Sequence, residues 1–195
     1  MEIEAHFSEI RETIAGEIDK ARRSIVAAVA WITEPMLFDP LVAAARRGVS
    51  VQVALLQDGI NRQSPISFEH LTAAGGRICW IPETGRRAGS LHHKFCVIDR
   101  EVVITGSFNW TRRASKADEN IVVVRGDEAL TAGFEEAFQT LLEKYGHDAA
   151  AVVVDTLKLM QRLEIIRNLL TLEDEEALEG QIPRLESVGI LGDAP

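Results

Sequence analysis

The stretch Leu91–Asn109, LHHKFCVIDREVVITGSFN, constrains the fold of this chain more than any other segment. Two apolar runs of strand length flank a short charged break, which reads as a hairpin. Side chains two apart on a strand point to the same side. A strand over His92–Ile98 therefore aims the imidazole of His92 and the ammonium of Lys94 into one site. A second strand, Val102–Thr105, returns beside it and delivers Ser107 and Asn109 to the same end. That end carries one potential nucleophile, one cation and two neutral hydrogen-bonding groups, a set suited to attack on a phosphate diester.

The rest of the chain alternates helical and strand patterns. Ile3, Phe7, Ile10, Ile14 and Ile18 recur at three- and four-residue spacing, which predicts an amphipathic helix. Ser24–Trp31 and Val49–Leu56 are continuous apolar runs suited to buried strands. Pro35 and Pro40 bracket a turn and the start of a helix that runs to Gly48. Gln57–Pro65 is a polar loop, Ile66–Ala74 a short helix and Arg77–Ile81 a strand. Pro82–Ser90 is a loop entering the hairpin; Ile121–Arg125 is a last strand and Asp127–Tyr145 a helix. This order predicts an α/β fold, a mixed β-sheet sandwiched between helices, with the catalytic loops at one end of the sheet. The domain is expected over 1–146. Residues 147–195 are expected to form an acidic helical extension and tail, with a long helix over Asp148–Leu170 and a short acidic one over Leu172–Glu179. The long helix either packs on the core or on a partner subunit, or docks a regulatory partner.

The formal net charge of −9 argues against a nucleic-acid binder until its distribution is considered. After Gly146 there are ten acidic and four basic residues. Between Arg86 and Lys116 there are seven basic residues (Arg86, Arg87, Lys94, Arg100, Arg112, Arg113, Lys116) against Asp99 and Glu101. A positive site in an acidic protein focuses a polyanion onto the chemistry; the plainer reading is a set of solvated loop charges. No apolar run reaches the roughly 18–20 residues of a transmembrane span, and the acidic start lacks the pattern of a secretory signal. A cytoplasmic location is expected. Cys79 and Cys96 fall in strands, as small buried hydrophobes, and no His/Cys cluster has zinc spacing.

The hairpin spacing resembles the signature of the phospholipase D superfamily: His, any residue, Lys, four residues, Asp, six residues, Gly-Ser, any residue, Asn. His92, Lys94, Asp99, Gly106, Ser107 and Asn109 fill every fixed position. The surrounding HHKF, ITGSFNWT and ENIVVV are most similar to the small single-motif members, of bacterial nuclease and mitochondrial cardiolipin-hydrolase type. The resemblance runs over roughly residues 8–145.

The resemblance implies a covalent mechanism in which His92 attacks phosphorus and forms a phosphohistidine. In the family the general acid is the histidine of a second motif. Here His6, His70, His93 and His147 are not followed two residues later by lysine. The second histidine is therefore expected to be His92 of another subunit, in a homodimer with a shared site. Lys94 and Asn109 would hold the non-bridging oxygens, and Ser107 would add a hydroxyl. Gly106 is expected to permit a tight strand-to-loop turn. Glu119 resembles the acidic residue that orients the nucleophile, with Asp118 as the alternative. Asp99 is read as structural, and His93, on the opposite strand face, likewise. Arg86, Arg87, Arg112 and Arg113 are candidates for binding substrate. Trp110 either packs beneath its loop or lines the groove and stacks a base; Trp31 carries the same ambiguity. No metal or cofactor is required, since lysines and amides do the electrostatic work.

The leading expectation is a metal-independent nuclease acting on DNA or RNA. The alternatives are a phospholipase or cardiolipin hydrolase with the same catalytic centre, and a non-catalytic binding protein of the same fold. The polar loops at 57–65 and 82–90 weigh against lipid, and the intact motif weighs against loss of activity.

Overall fold

A computed structural model describes residues 1–83 and 91–145. Arg86, Arg87 and the extension expected over 147–195 lie outside the described residues. The elements follow in chain order: β1 (Glu2–His6), α1 (Ile10–Lys20), β2 (Ser24–Val29), α2 (Pro35–Arg46), β3 (Ser50–Gln57), α3 (Gly59–Arg62), α4 (Glu69–Ala73), β4 (Arg77–Pro82), β5 (Lys94–Ile98), β6 (Val102–Gly106), β7 (Ile121–Arg125) and α5 (Glu128–Tyr145). The strands form one mixed sheet in the order β1-β7-β6-β5-β2-β3-β4. β2, β3 and β4 run parallel. β5 is antiparallel to β2, and β6, β7 and β1 continue antiparallel. The motif strand β5 is thus the middle strand of the sheet.

Period-two alternation divides each central strand between two cores. Ile25, Ala27 and Val29 of β2, Val51, Val53 and Leu55 of β3, and Cys96 and Ile98 of β5 pack with the apolar stripes of α1 and α2. Val26, Ala28, Ala54, Leu56, Phe95, Val97 and Val103 face the other way, onto Phe138 and Phe134 of α5. This double burial is why β2 and β3 read as unbroken apolar runs. Cys96 is buried and Cys79 half-buried.

The start of the chain departs from the expected helix. Only Ile10, Ile14 and Ile18 of the proposed stripe are buried in α1, while Ile3 is 59% and Phe7 75% exposed. Residues Glu2–His6 instead form β1, pairing in register with Ile121–Arg125. Two forces outweigh the helical spacing. The ladder satisfies an otherwise open edge of β7, and Arg125 gathers Glu4 at 2.8 Å, Glu17 at 3.0 Å and Glu2 at 3.6 Å. Pro35 is the first residue of α2 and Pro40 lies inside it, so the helix begins before the second proline rather than at it. The polar loop after β3 contains α3, capped by the side chain of Asp58.

The hairpin turns at Asp99 and Arg100, whose φ values are +55° and +61°. The Glu101 N–H donates to the Ile98 carbonyl at 2.9 Å. Two positive φ values are the mark of a type I′ turn, which suits the twist of the flanking strands. The Asp99 carboxylate accepts the backbone N–H groups of Arg22 (2.9 Å), Arg23 (2.7 Å) and Ser24 (2.9 Å), where β2 begins. Burial alone would raise this carboxyl, but those bonds and the Arg23 charge outweigh it and hold it below the usual carboxylate value. Asp99 therefore ties the far end of the β2–β5 pair, at the opposite end of β5 from His92.

Replacing Asp99 with asparagine keeps a residue that tolerates positive φ but removes the charge from three donors. Asp99→Asn should cost about 1–3 kcal/mol at neutral pH, measured by urea unfolding. Because the folded carboxyl titrates below its unfolded value, its stabilisation is complete above the unfolded pKa. It is lost as pH falls through the folded one. The difference between wild type and variant should narrow in acid; a difference independent of pH would show that the carboxylate is not the source.

Candidate active site

The site lies where β2, β3 and β4 end and β5 begins, the end of the sheet at which its strand direction changes. His92 is the second residue before β5 and Lys94 the first within it. The strand is thus shorter than the sequence pattern suggests, but the β2 pairing continues: Ala30 N–H donates to the His93 carbonyl at 3.0 Å. Beyond Ala30, where the chain bends out of β2, the side chain of Trp31 meets that of His92. The two rings meet edge-on, with centroids 6.3 Å apart and planes at 89°. His92 is exposed, and the Lys94 ammonium folds back to donate to its carbonyl at 2.7 Å. His93 sits 5.5 Å from the Phe95 ring, and burial, then the nearby Lys94 and His92 charges, lowers its pKa.

β6 and β7 deliver the remaining motif residues. Gly106 ends β6 opposite Ile121, and Ser107 continues the ladder by exchanging bonds with Asn120. The Ser107 N–H donates to the Asn120 carbonyl at 3.1 Å, and the Asn120 N–H donates to the Ser107 Oγ at 3.1 Å. The hydroxyl remains free to donate outward. Gly106 is not needed for a turn, since its φ is not positive. A Cβ there would strike the Asn120 carbonyl oxygen and come within 2.8 Å of the Ile121 Cα. The glycine is required because two backbones approach closely, which corrects the expected reason for it.

The loop after Asn109 is fixed through Trp110. Its N–H donates to the Trp31 carbonyl at 3.1 Å, and its carbonyl accepts Thr33 and Glu34 N–H at 2.8 and 3.1 Å. Its side chain is 2% exposed and lies in the core beneath the site. It therefore has no free face for a base, and the substrate-stacking role considered for it is withdrawn. The buried Oδ1 of Asn109 has no hydrogen-bond partner among the described residues. Arg112 is exposed and turned toward the buried Glu34 at 4.0 Å, while Arg113 is exposed on the same loop.

Burial lowers the pKa of Lys94, and the charge of Glu119 acts against that shift. Glu119 thus lies within electrostatic reach of Lys94, and among the described residues neither it nor Asp118 hydrogen-bonds His92. No three His, Cys, Asp or Glu side chains among the described residues come together as a metal site. No helix among them is long and apolar enough to cross a membrane.

Sequence reasoning missed the support beneath His92. The Trp31 indole N–H donates to Asp58 Oδ2 at 2.6 Å. Asp58 Oδ1 accepts the N–H groups of Ile60 and Asn61, both at 3.0 Å. The Asn61 side chain, 1% exposed, takes the Ile32 N–H at 3.0 Å and donates to the carbonyls of Ala30 (2.8 Å) and Leu56 (2.7 Å). The signal was present in the sequence as an Asp before a short helix, inside a segment read only as polar loop.

A nucleophile candidate, a half-buried lysine and paired amide and hydroxyl groups at one end of a mixed sheet define a phosphodiesterase-like class of site. A family profile described as "cardiolipin synthase, PLD-like domain" matches residues 14–142, and the chain belongs to that phospholipase D-like family. It is 29% identical over 131 residues to the mitochondrial cardiolipin hydrolase of Xenopus laevis, covering 64% of this chain and 57% of the relative. It is 34% identical over 116 residues to a phospholipase D of Rickettsia bellii, covering 59% and 55%. The matches therefore span little more than half of each of these relatives. The structure of Nuc from Salmonella typhimurium, a phospholipase D family member, superposes with a TM-score of 0.63 at 27% identity, covering 73% of this chain and 94% of that one.

If Lys94 must be protonated to act, the alkaline limb of kcat/KM should fall below the pH of an ordinary lysine. Because Glu119 raises the Lys94 pKa, Glu119→Gln should move that limb to lower pH. An unmoved limb would show that Glu119 does not act on Lys94.

Proposed function

We propose that this chain is a phosphodiesterase that works through a phosphohistidine on His92, and that its substrate is DNA or RNA. The observation that carries the reading is the meeting of the His92–Lys94 strand end with the Ser107–Asn109 loop in the middle of the sheet. An imidazole nitrogen of His92 attacks phosphorus and the bond to the leaving oxygen breaks, with His92 of a second subunit giving that oxygen its proton. Water then displaces the histidine, its proton returning to the same partner imidazole. Lys94 and the N–H groups of the Asn109 amide, from both copies, stabilise the charge on the non-bridging oxygens, the first by its charge and the second by hydrogen bonds. These groups supply the positive field, so no step calls for a metal. We assign the catalytic unit to residues 1–146 and a role in packing or partner docking to the acidic segment after it.

The exposed Arg112 and Arg113 and the likeness to Nuc favour nucleic acid. A phospholipid substrate is the second reading. It is favoured by the relatives named cardiolipin hydrolase and phospholipase D, and by Met36 and Ile60, 40% and 47% exposed just beyond the ends of β2 and β3.

The test is hydrolysis in excess chelator of single-stranded DNA, single-stranded RNA, duplex DNA and cardiolipin vesicles, by wild type and His92→Ala. Wild type should cut a nucleic acid, with the variant slower on the order of 10⁴-fold or more. Cleavage of vesicles alone would move the assignment to lipid, and loss of activity on chelation would sink the mechanism. Mixed dimers of wild type and His92→Ala should be nearly inactive; half of the wild-type rate would mean independent sites.

A further inference from the structure

We infer that Trp31 is a positioning residue for His92 and that Asp58 holds Trp31 in place; the inference rests on the reading of His92 as the nucleophile. His92 is exposed just before the start of the central strand, where its side chain has two torsions to be fixed. Trp31 follows the end of β2, and its ring meets that of His92 edge-on with centroids 6.3 Å apart. Trp31 is held at both its side chain and its backbone. The indole N–H is taken by Asp58 at 2.6 Å, and the Trp31 backbone carbonyl accepts the N–H of Trp110, the residue after Asn109.

Asp58 is 8% exposed and serves two roles with two oxygens. Oδ1 caps α3 through Ile60 and Asn61, and Oδ2 receives the indole. Asn61 then bolts that cap to the ends of β2 and β3. The chain from Asn61 through Asp58 to Trp31 transmits the rigidity of two core strands to the ring of His92. A nucleophile that must approach phosphorus in line is sensitive to this, since misplacement by about 1 Å can cost on the order of a hundredfold in rate.

The two oxygens of Asp58 provide a selective test. Asn has one acceptor oxygen and one amide donor. In Asp58→Asn the oxygen can continue to cap α3, while the amide cannot accept the indole N–H. The variant should therefore stay folded, with a lowered thermal midpoint but an intact cooperative transition, and release Trp31. On bis(p-nitrophenyl) phosphate, Asp58→Asn and Trp31→Leu should each lower kcat by about tenfold or more, with KM nearly unchanged. In Asp58→Asn the NMR signals of the His92 ring protons should lose the shift imposed by the indole. Wild-type kcat together with unshifted His92 signals would overturn the inference. So would an effect of Trp31→Leu on KM alone, which would make Trp31 a surface that binds substrate. If wild type does not hydrolyse the diester, the nucleophile reading fails. The NMR comparison still decides whether Asp58 holds Trp31 against His92.

Discussion

The register of β2 against β5 is the constraint on which the site depends. It is set far from the chemistry, where one carboxylate, Asp99, gathers three consecutive N–H groups at the start of β2. From there the pairing runs through Ile25–Ile98 to Val29–Lys94 and on through Ala30–His93. A slip of one residue would turn each side chain of β5 to the other face. Phe95 and Val97 would leave α5, Cys96 would meet it, and His92 would no longer face Trp31. The spacing of His92, Lys94 and Asp99 is thus one mechanical unit: the acid at one end of the strand fixes where the imidazole and ammonium at the other end appear.

The second dependence is a close approach of backbones. β6 and β7 stay in contact past Gly106 because no Cβ stands between Gly106 and the Asn120 carbonyl. Ser107 can then exchange both bonds with Asn120, and the chain leaves the sheet at Phe108 in a fixed direction. Trp110 completes this by sinking its ring into the core while its backbone ties to Trp31, Thr33 and Glu34. Asn109 is held between these two anchors, and its amide owes its place to backbone geometry more than to contacts of its own.

The central sheet was legible because both of its faces are buried, so that β2 and β3 appear as unbroken apolar runs and the motif spacing carries its own period of two. The outer parts were less so. Ile3 and Phe7 fall in step with the stripe of α1, and nothing local distinguishes them from helix; the deciding partners, β7 and Arg125, lie more than a hundred residues away. Trp110 and Trp31 looked alike in the sequence, each an aromatic beside a polar loop. Their fates separate only when folding sets one edge-on to His92 and buries the other in the core. Gly106 was recognised as necessary, but its reason is a neighbour brought by folding and not its own φ.

Lys94 shows how an acidic chain can hold a cationic site. Fully solvated, the ammonium would be screened and would act weakly on an approaching anion. Fully buried and alone, it would give up its proton. It is half-buried, and Glu119 acts against the loss that burial causes. A carboxylate close enough to act on the cation therefore helps preserve its charge where burial would remove it. The same carboxylate also repels an anion, so the balance holds only if the phosphate comes closer to Lys94 than Glu119 does. The His92 carbonyl fixes the ammonium at the strand end, and the exposed Arg112 and Arg113 add positive charge on the loop that follows Asn109. A cationic group is thereby held at this end of the sheet in a chain whose total charge is −9, where it can draw an anion toward the motif residues.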